Sequence, residues 1–182
     1  MVEFMERIAA ERRRLREVRE MLTLSTGLGA GEDADFVPFY IAVSDYFAAT
    51  MDRLHEQDIR LGDMLRDKAD MSVAANQTAL QELDERLTGN QQHLQAMLSA
   101  RDSLLEHGTA ALKEFEQAGA AYAGFIVSNM GHHPGTTDLA RQLFTEDDWI
   151  AMADSRPEQQ AEEQRLYDAV ATARPQALDR AG

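Results

Sequence analysis

Residues Ala121–Trp149, AYAGFIVSNMGHHPGTTDLARQLFTEDDW, decide how the chain is read. Phe115, Tyr122, Phe125 and Ile126 recur at the three-, four- and seven-residue spacings of one buried helix face. That face then runs into Asn129, His132 and His133, where apolar side chains are expected. Pro134-Gly135 disturbs the helix at once, because proline removes a backbone donor and glycine lowers helix propensity. Apolar spacing resumes with Leu139, Ala140 and Leu143, and Thr145 followed by three acids reads as an N-cap with a favourably charged first turn. Trp149, the only tryptophan, falls just inside that last helix. Its place predicts a largely buried ring closing one end of the molecule against the helix that carries Tyr122.

The same period extends in both directions. A first helix is predicted from Val2 to about Thr26 on Phe4, Met5, Ile8, Leu15, Val18 and Leu22, with a polar gap at Glu11 and Arg12. Arg13, Arg14, Arg16 and Arg19 spread over its other faces and read as solvated. Gly27-Leu-Gly-Ala-Gly31 is a loop; with no strand before it and no Gly-Lys-Ser/Thr after it, it is not a phosphate cradle. A second helix covers Phe36 to about Lys68, with Pro38 at home in its first turn and Asp58 on its buried stripe. A third runs from about Ser72 to His107, interrupted at Asn90 and Gln91, with Gly89 as a candidate kink. A fourth spans Ala110 to about Gly131. The last begins at Thr145, pauses at Ser155-Arg-Pro-Glu158 and continues to about Arg174. The expected fold is all-α: one domain over 1–182, an up-down-up-down antiparallel four-helix bundle over about 2–143, and short C-terminal helices over about 145–174.

Composition narrows the function classes. A net charge of −14 argues against nucleic acid and anionic membrane surfaces, both of which need a basic face. The absence of cysteine excludes disulfides, thiolate metal sites and cysteine nucleophiles. No signal-peptide pattern and no apolar run of membrane-spanning length is present, so the cytoplasm is the expected compartment. No Ser/His/Asp order, dinucleotide fingerprint or HExxH supports a hydrolase, dehydrogenase or zinc protease.

Each long helix has polar residues breaking its inward stripe. Folding the second and third helices about a link near Asp70 sets His55 opposite Glu85 and Asp58 opposite Glu82. Folding the third and fourth about Gly108 sets Asp84 opposite His132. His55, Asp58, Asp84 and His132 then share one layer to within about one helical turn, ~5 Å. Bundle interiors hold metals through such groups, and imidazole with carboxylate suits iron, manganese or zinc. His93 and His107 have no convergent partner and read as surface residues.

Several segments resemble the hemerythrin-like family of four-helix bundles. Glu11-Arg-Arg-Arg-Leu-Arg16 is similar to that family's EHRRLR, and Met51-Asp-Arg-Leu-His55 falls where its second helix supplies a histidine. His132–Ala140 resembles the EExxLFPLA segment, and Leu139–Trp149, LARQLFTEDDW, resembles LARRLLTEEDW. The resemblance implies a bundle that holds a pair of non-haem irons and binds or senses oxygen or related species. The ligand pattern departs from it. Arg12 stands for the first-helix histidine, Ile59 for a bridging glutamate, Ser128 for the fourth-helix histidine, and His132-His133 for the double glutamate. His93 is followed by Met97 rather than by a second histidine. The surviving set suits one ion, or a polar network around Arg12. Three functions follow as expectations: a binding protein with at most one weakly bound non-haem metal ion or none, a metal-free interaction module, and a non-haem iron protein handling oxygen or peroxide. Leu166, Tyr167 and Val170 give the last helix an apolar edge, so a homodimer or a protein partner meeting a helix face is an expected association.

Overall fold

The structure, a computed structural model, describes residues 2–129 and 134–180, with the side chains of residues 2–5 outside that set. Phe4 and Met5 of the first stripe, and Gly131 at the expected end of the fourth helix, lie outside what is described. All regular structure among the described residues is helical. Four helices form the antiparallel bundle: α1 (Val2–Leu28), α2 (Phe36–Lys68), α3 (Ala74–His107) and α4 (Leu112–Asn129). The shorter C-terminal helices are α5 (Pro134–Leu143), α6 (Glu146–Met152), α7 (Pro157–Thr172) and α8 (Gln176–Asp179).

Local chemistry ends each element where the chain turns. Gly29, at φ 76°, adopts the left-handed conformation after α1, and its N–H bonds back to the Ser25 carbonyl at 3.0 Å. Gly108, at φ 57°, does the same after α3 and leads through one 3-10 turn, Gly108–Ala111, into α4. Pro134 is the first described residue of α5. Thr145 and Asp148 form a reciprocal capping box on α6.

Helix α4 packs mainly on α3 and α1, while α5 packs on α3 and α2 at the far end of the bundle. The helix that lies most extensively along α2, apart from α3, is α7. It adds a fifth wall and buries its own Leu166–Val170 edge in the larger apolar cluster of the bundle. Gly89 does not kink α3, which is continuous from Ala74 to His107. A Cβ there would lie 2.7 Å from the Phe125 ring, so the glycine admits a close approach of α4. Trp149 is half-buried. It meets Phe144 edge-on at 5.3 Å and joins Leu65, Leu80, Leu83 and Leu139, so it closes the α2–α3–α5 end instead of resting on α4. No helix among the described residues is long and apolar enough to cross a membrane.

Candidate functional site

The interior apolar residues fall into two separate clusters. The larger contains Leu22, Phe39, Tyr40, Phe47, Met51, Phe115 and Tyr122, with Leu54 and Leu94 at its margin. The smaller contains Leu65, Leu80, Leu83, Leu139 and Ala140, with Leu61 and Leu87 at its margin. Between them α2 contributes His55 and Asp58, and α3 contributes Arg86, Asn90 and Gln91. This polar layer is the candidate site.

Gln91 Nε2 lies 2.9 Å from His55 Nε2, which ties one ring nitrogen to α3. The other, Nδ1, is buried and has no hydrogen-bond partner. Asp58 sits one turn further along α2, on the core face predicted for it. Burial raises its carboxyl pKa above 3.8, and the charges of Arg86 and His55 offset only part of that. Arg86 is half-buried. Burial pulls its guanidinium below its ordinary range, against the pull of Asp58 and Glu82. Its Nε is buried without a partner. Asn90, one turn from Arg86, accepts a 3.0 Å hydrogen bond from the buried Tyr122 hydroxyl, which closes the layer on the α4 side.

The register differs from the expected one. His55 meets Gln91 rather than Glu85. The reason is the link, where residues 69–73 stay out of helix and move the turn past Asp70. In this register the charge of Arg86 acts on Asp58, and Asp84 moves toward the α2–α3 link. There Asp84 is exposed and takes a bidentate pair of bonds from Arg66, at 2.7 and 2.8 Å. His132 lies outside the described residues. Of the four candidate ligands, His55 and Asp58 are therefore brought together and Asp84 is engaged elsewhere.

Arg12 is exposed, so the polar network expected around it does not form there. Its neighbour Glu11 turns inward instead, toward Arg53 of α2. Arg53 is 2% exposed and is held by Glu163 of α7 at 2.5 and 2.9 Å, and by Glu11 at 3.3 Å. Burial works against this cation, but the two carboxylates outweigh it and keep the guanidinium protonated. One nitrogen, Nη1, has no partner. Tyr46, two turns away along α2, has its hydroxyl pKa pushed up to about 12, mainly by burial. The signal in the sequence was the spacing Tyr46, Thr50, Arg53, a second buried stripe on α2 that faces α7.

Among the described residues the donor set is too small for a pair of metal ions. Among the described residues no three His, Asp or Glu side chains are placed to share an ion. Of the described residues, the layer offers His55 Nδ1 and Asp58, and the positive charge of Arg86 that acts on Asp58 opposes a dication there. No protein-family model matches the chain, and neither a curated protein nor a solved structure matches it significantly.

Asp58 gives a testable pH dependence. Its folded pKa lies above its unfolded one, so the folded state holds the proton more tightly. The stability this group contributes is fully present below 3.8 and is lost as pH rises through the folded value. Asp58→Asn should therefore be more stable than wild type at neutral pH and should show a flatter profile between acid and neutral, measured by urea unfolding. A loss at neutral pH would mean that attraction to Arg86 outweighs desolvation.

Proposed function

We propose that the chain is a hemerythrin-like binding protein whose interior layer holds at most one weakly bound metal ion, or none. The resemblance of Leu139–Trp149 and Glu11–Arg16 to that family supports the ancestry. The observation that carries the reading is that His55 and Asp58 share the layer while Asp84 is taken up by Arg66, and that among the described residues no third His, Asp or Glu side chain joins them. The test is metal analysis of protein purified without added metal or chelator, followed by ferrous iron and air. The expected result is well under one iron per chain and no oxo-bridge or peroxo absorption. Two irons per chain with such bands, abolished by His55→Ala, would sink the reading.

A second reading, a metal-free interaction module, is favoured by one surface. Between α1 and α7 runs a groove of about 520 Å³ with Met21, Leu24 and Tyr167 on its floor and Glu17 and Glu20 on its rim. Leu24 and Leu28 on the same side of α1 are 38% and 48% exposed. A partner for this groove presents an apolar side chain with a cation toward Glu20 and an anion toward Arg174. Leu24→Glu would abolish such an association in sedimentation or pull-down with the partner, while leaving the fold intact.

A further inference from the structure

This inference rests on the second reading above, the interaction module, and names its partner. We propose that the groove between α1 and α7 is a dimerisation face, and that a second copy of this chain occupies it. The two helices lie in register. Arg14 of α1 donates to the Gln164 side chain of α7, and the Tyr167 hydroxyl donates to Glu17. Both pairs are 150 residues apart, so the helices run in the same direction and stay in step. Carried on by two turns, the same offset sets Met21 beside Ala171 and Leu24 beside Arg174. The Ala171 side chain is too small to fill the space beside Met21, and the groove of about 520 Å³ opens there.

Charge decides what fits it. One wall carries Glu20 on α1 and the other carries Arg174 on α7, with Met21 and Leu24 lining the space between the helices. This face is itself the partner that such a groove needs, an apolar side chain flanked by one cation and one anion. A two-fold axis in the plane of contact, midway between Glu20 and Arg174, exchanges the two positions. Glu20 of each copy then meets Arg174 of the other, and the contact is isologous. Leu24, 38% exposed, is covered by the second copy and leaves water. Within one chain Glu20 holds the neighbouring Arg19 at 3.0 Å, and Arg174 holds Asp179 at 2.9 Å. Surface pairs of this kind contribute little, so exchanging them for pairs across the contact costs little. Two features make the dimer weak. The stretch from Glu17 to Leu24 is only two helical turns, ~11 Å, against the ~800 Å² per partner of a standard interface. Each chain also carries a net charge of −14, which repels a second copy until salt screens it.

Sedimentation equilibrium of the full chain at ~0.15 M salt, at concentrations up to high micromolar, tests the proposal. Wild type is expected to follow a monomer–dimer equilibrium, and Leu24→Glu to stay monomeric with an unchanged dichroism spectrum. Glu20→Arg and Arg174→Glu should each weaken dimerisation by about tenfold or more, because like charges then face each other at both pairs. An equimolar mixture of these two variants should dimerise about as tightly as wild type, since each supplies the charge that the other has lost. If Leu24→Glu fails to fold, the mixture carries the test. A wild type that stays monomeric, or a mixture no tighter than its components, overturns the proposal and leaves the wider reading standing. Dimerisation that chelation abolishes overturns both, because the contact would then depend on a metal ion.

Discussion

Arg53→Met should lower the unfolding free energy by about 3–5 kcal/mol, the range for removing one partner of a buried ion pair. The substitution is close in volume, so the loss comes from charge rather than from a cavity. It leaves Glu163, 7% exposed, and Glu11, 13% exposed, without their cation in a region closed to water. The effect should be local as well as global, because Glu163 is the polar anchor of α7, whose other buried residues are Leu166 and Val170. Amide exchange in α7 should therefore rise well above that in α3. The double variant Arg53→Met with Glu163→Leu should recover most of the loss, since replacing a buried pair by apolar side chains is often neutral. Chemical unfolding followed by far-ultraviolet dichroism measures both. A single-variant loss below about 1 kcal/mol would place this pair among ordinary surface bridges.

Phe47→Ala should cost about 3–5 kcal/mol, as large aromatic truncations in packed interiors do. Phe47 is fully buried and meets the Tyr122 ring edge-on at 5.4 Å. Tyr122 in turn donates to Asn90. A cavity at Phe47 therefore loosens the ring that orients the α4 side of the polar layer. Leu139→Ala, in the smaller cluster beyond that layer, should cost less, about 2 kcal/mol, because Leu139 borders solvent at 8% exposure and can relax into the space. Equal losses at the two positions in urea unfolding would mean that the polar layer does not divide the core energetically.

Much of the fold was legible because helical periodicity and turn residues act locally. The limits of α2 fall at Phe36 and Lys68 as read from the apolar stripe, and Gly108 ends α3 where a left-handed residue is needed. The layer was legible as a polar break at His55, Asp58, Asn90 and Gln91. Its composition was not, for two physical reasons. Register across the α2–α3 link depends on how many residues leave the helix, and residues 69–73 moved His55 from Glu85 to Gln91. Arg53, between Asp52 and Leu54, has the look of a surface residue until α7 is placed against it. Only then does Glu163, at helical spacing from Leu166 and Val170, show itself as an acid on a buried stripe. Both concern contacts between distant segments, which no local pattern encodes.

The central claim is that no bound metal ion holds this bundle together, its most buried cation being Arg53. The most direct measurement is the thermal unfolding midpoint of freshly purified protein before and after exhaustive chelation, and again after adding back ferrous iron, manganese or zinc. A bundle held by a metal loses stability on chelation and regains it on reloading, because an ion that binds only the folded state stabilises it by mass action. The account predicts the same midpoint in all conditions. A fall on chelation that one of these ions reverses, and that His55→Ala removes, would contradict it.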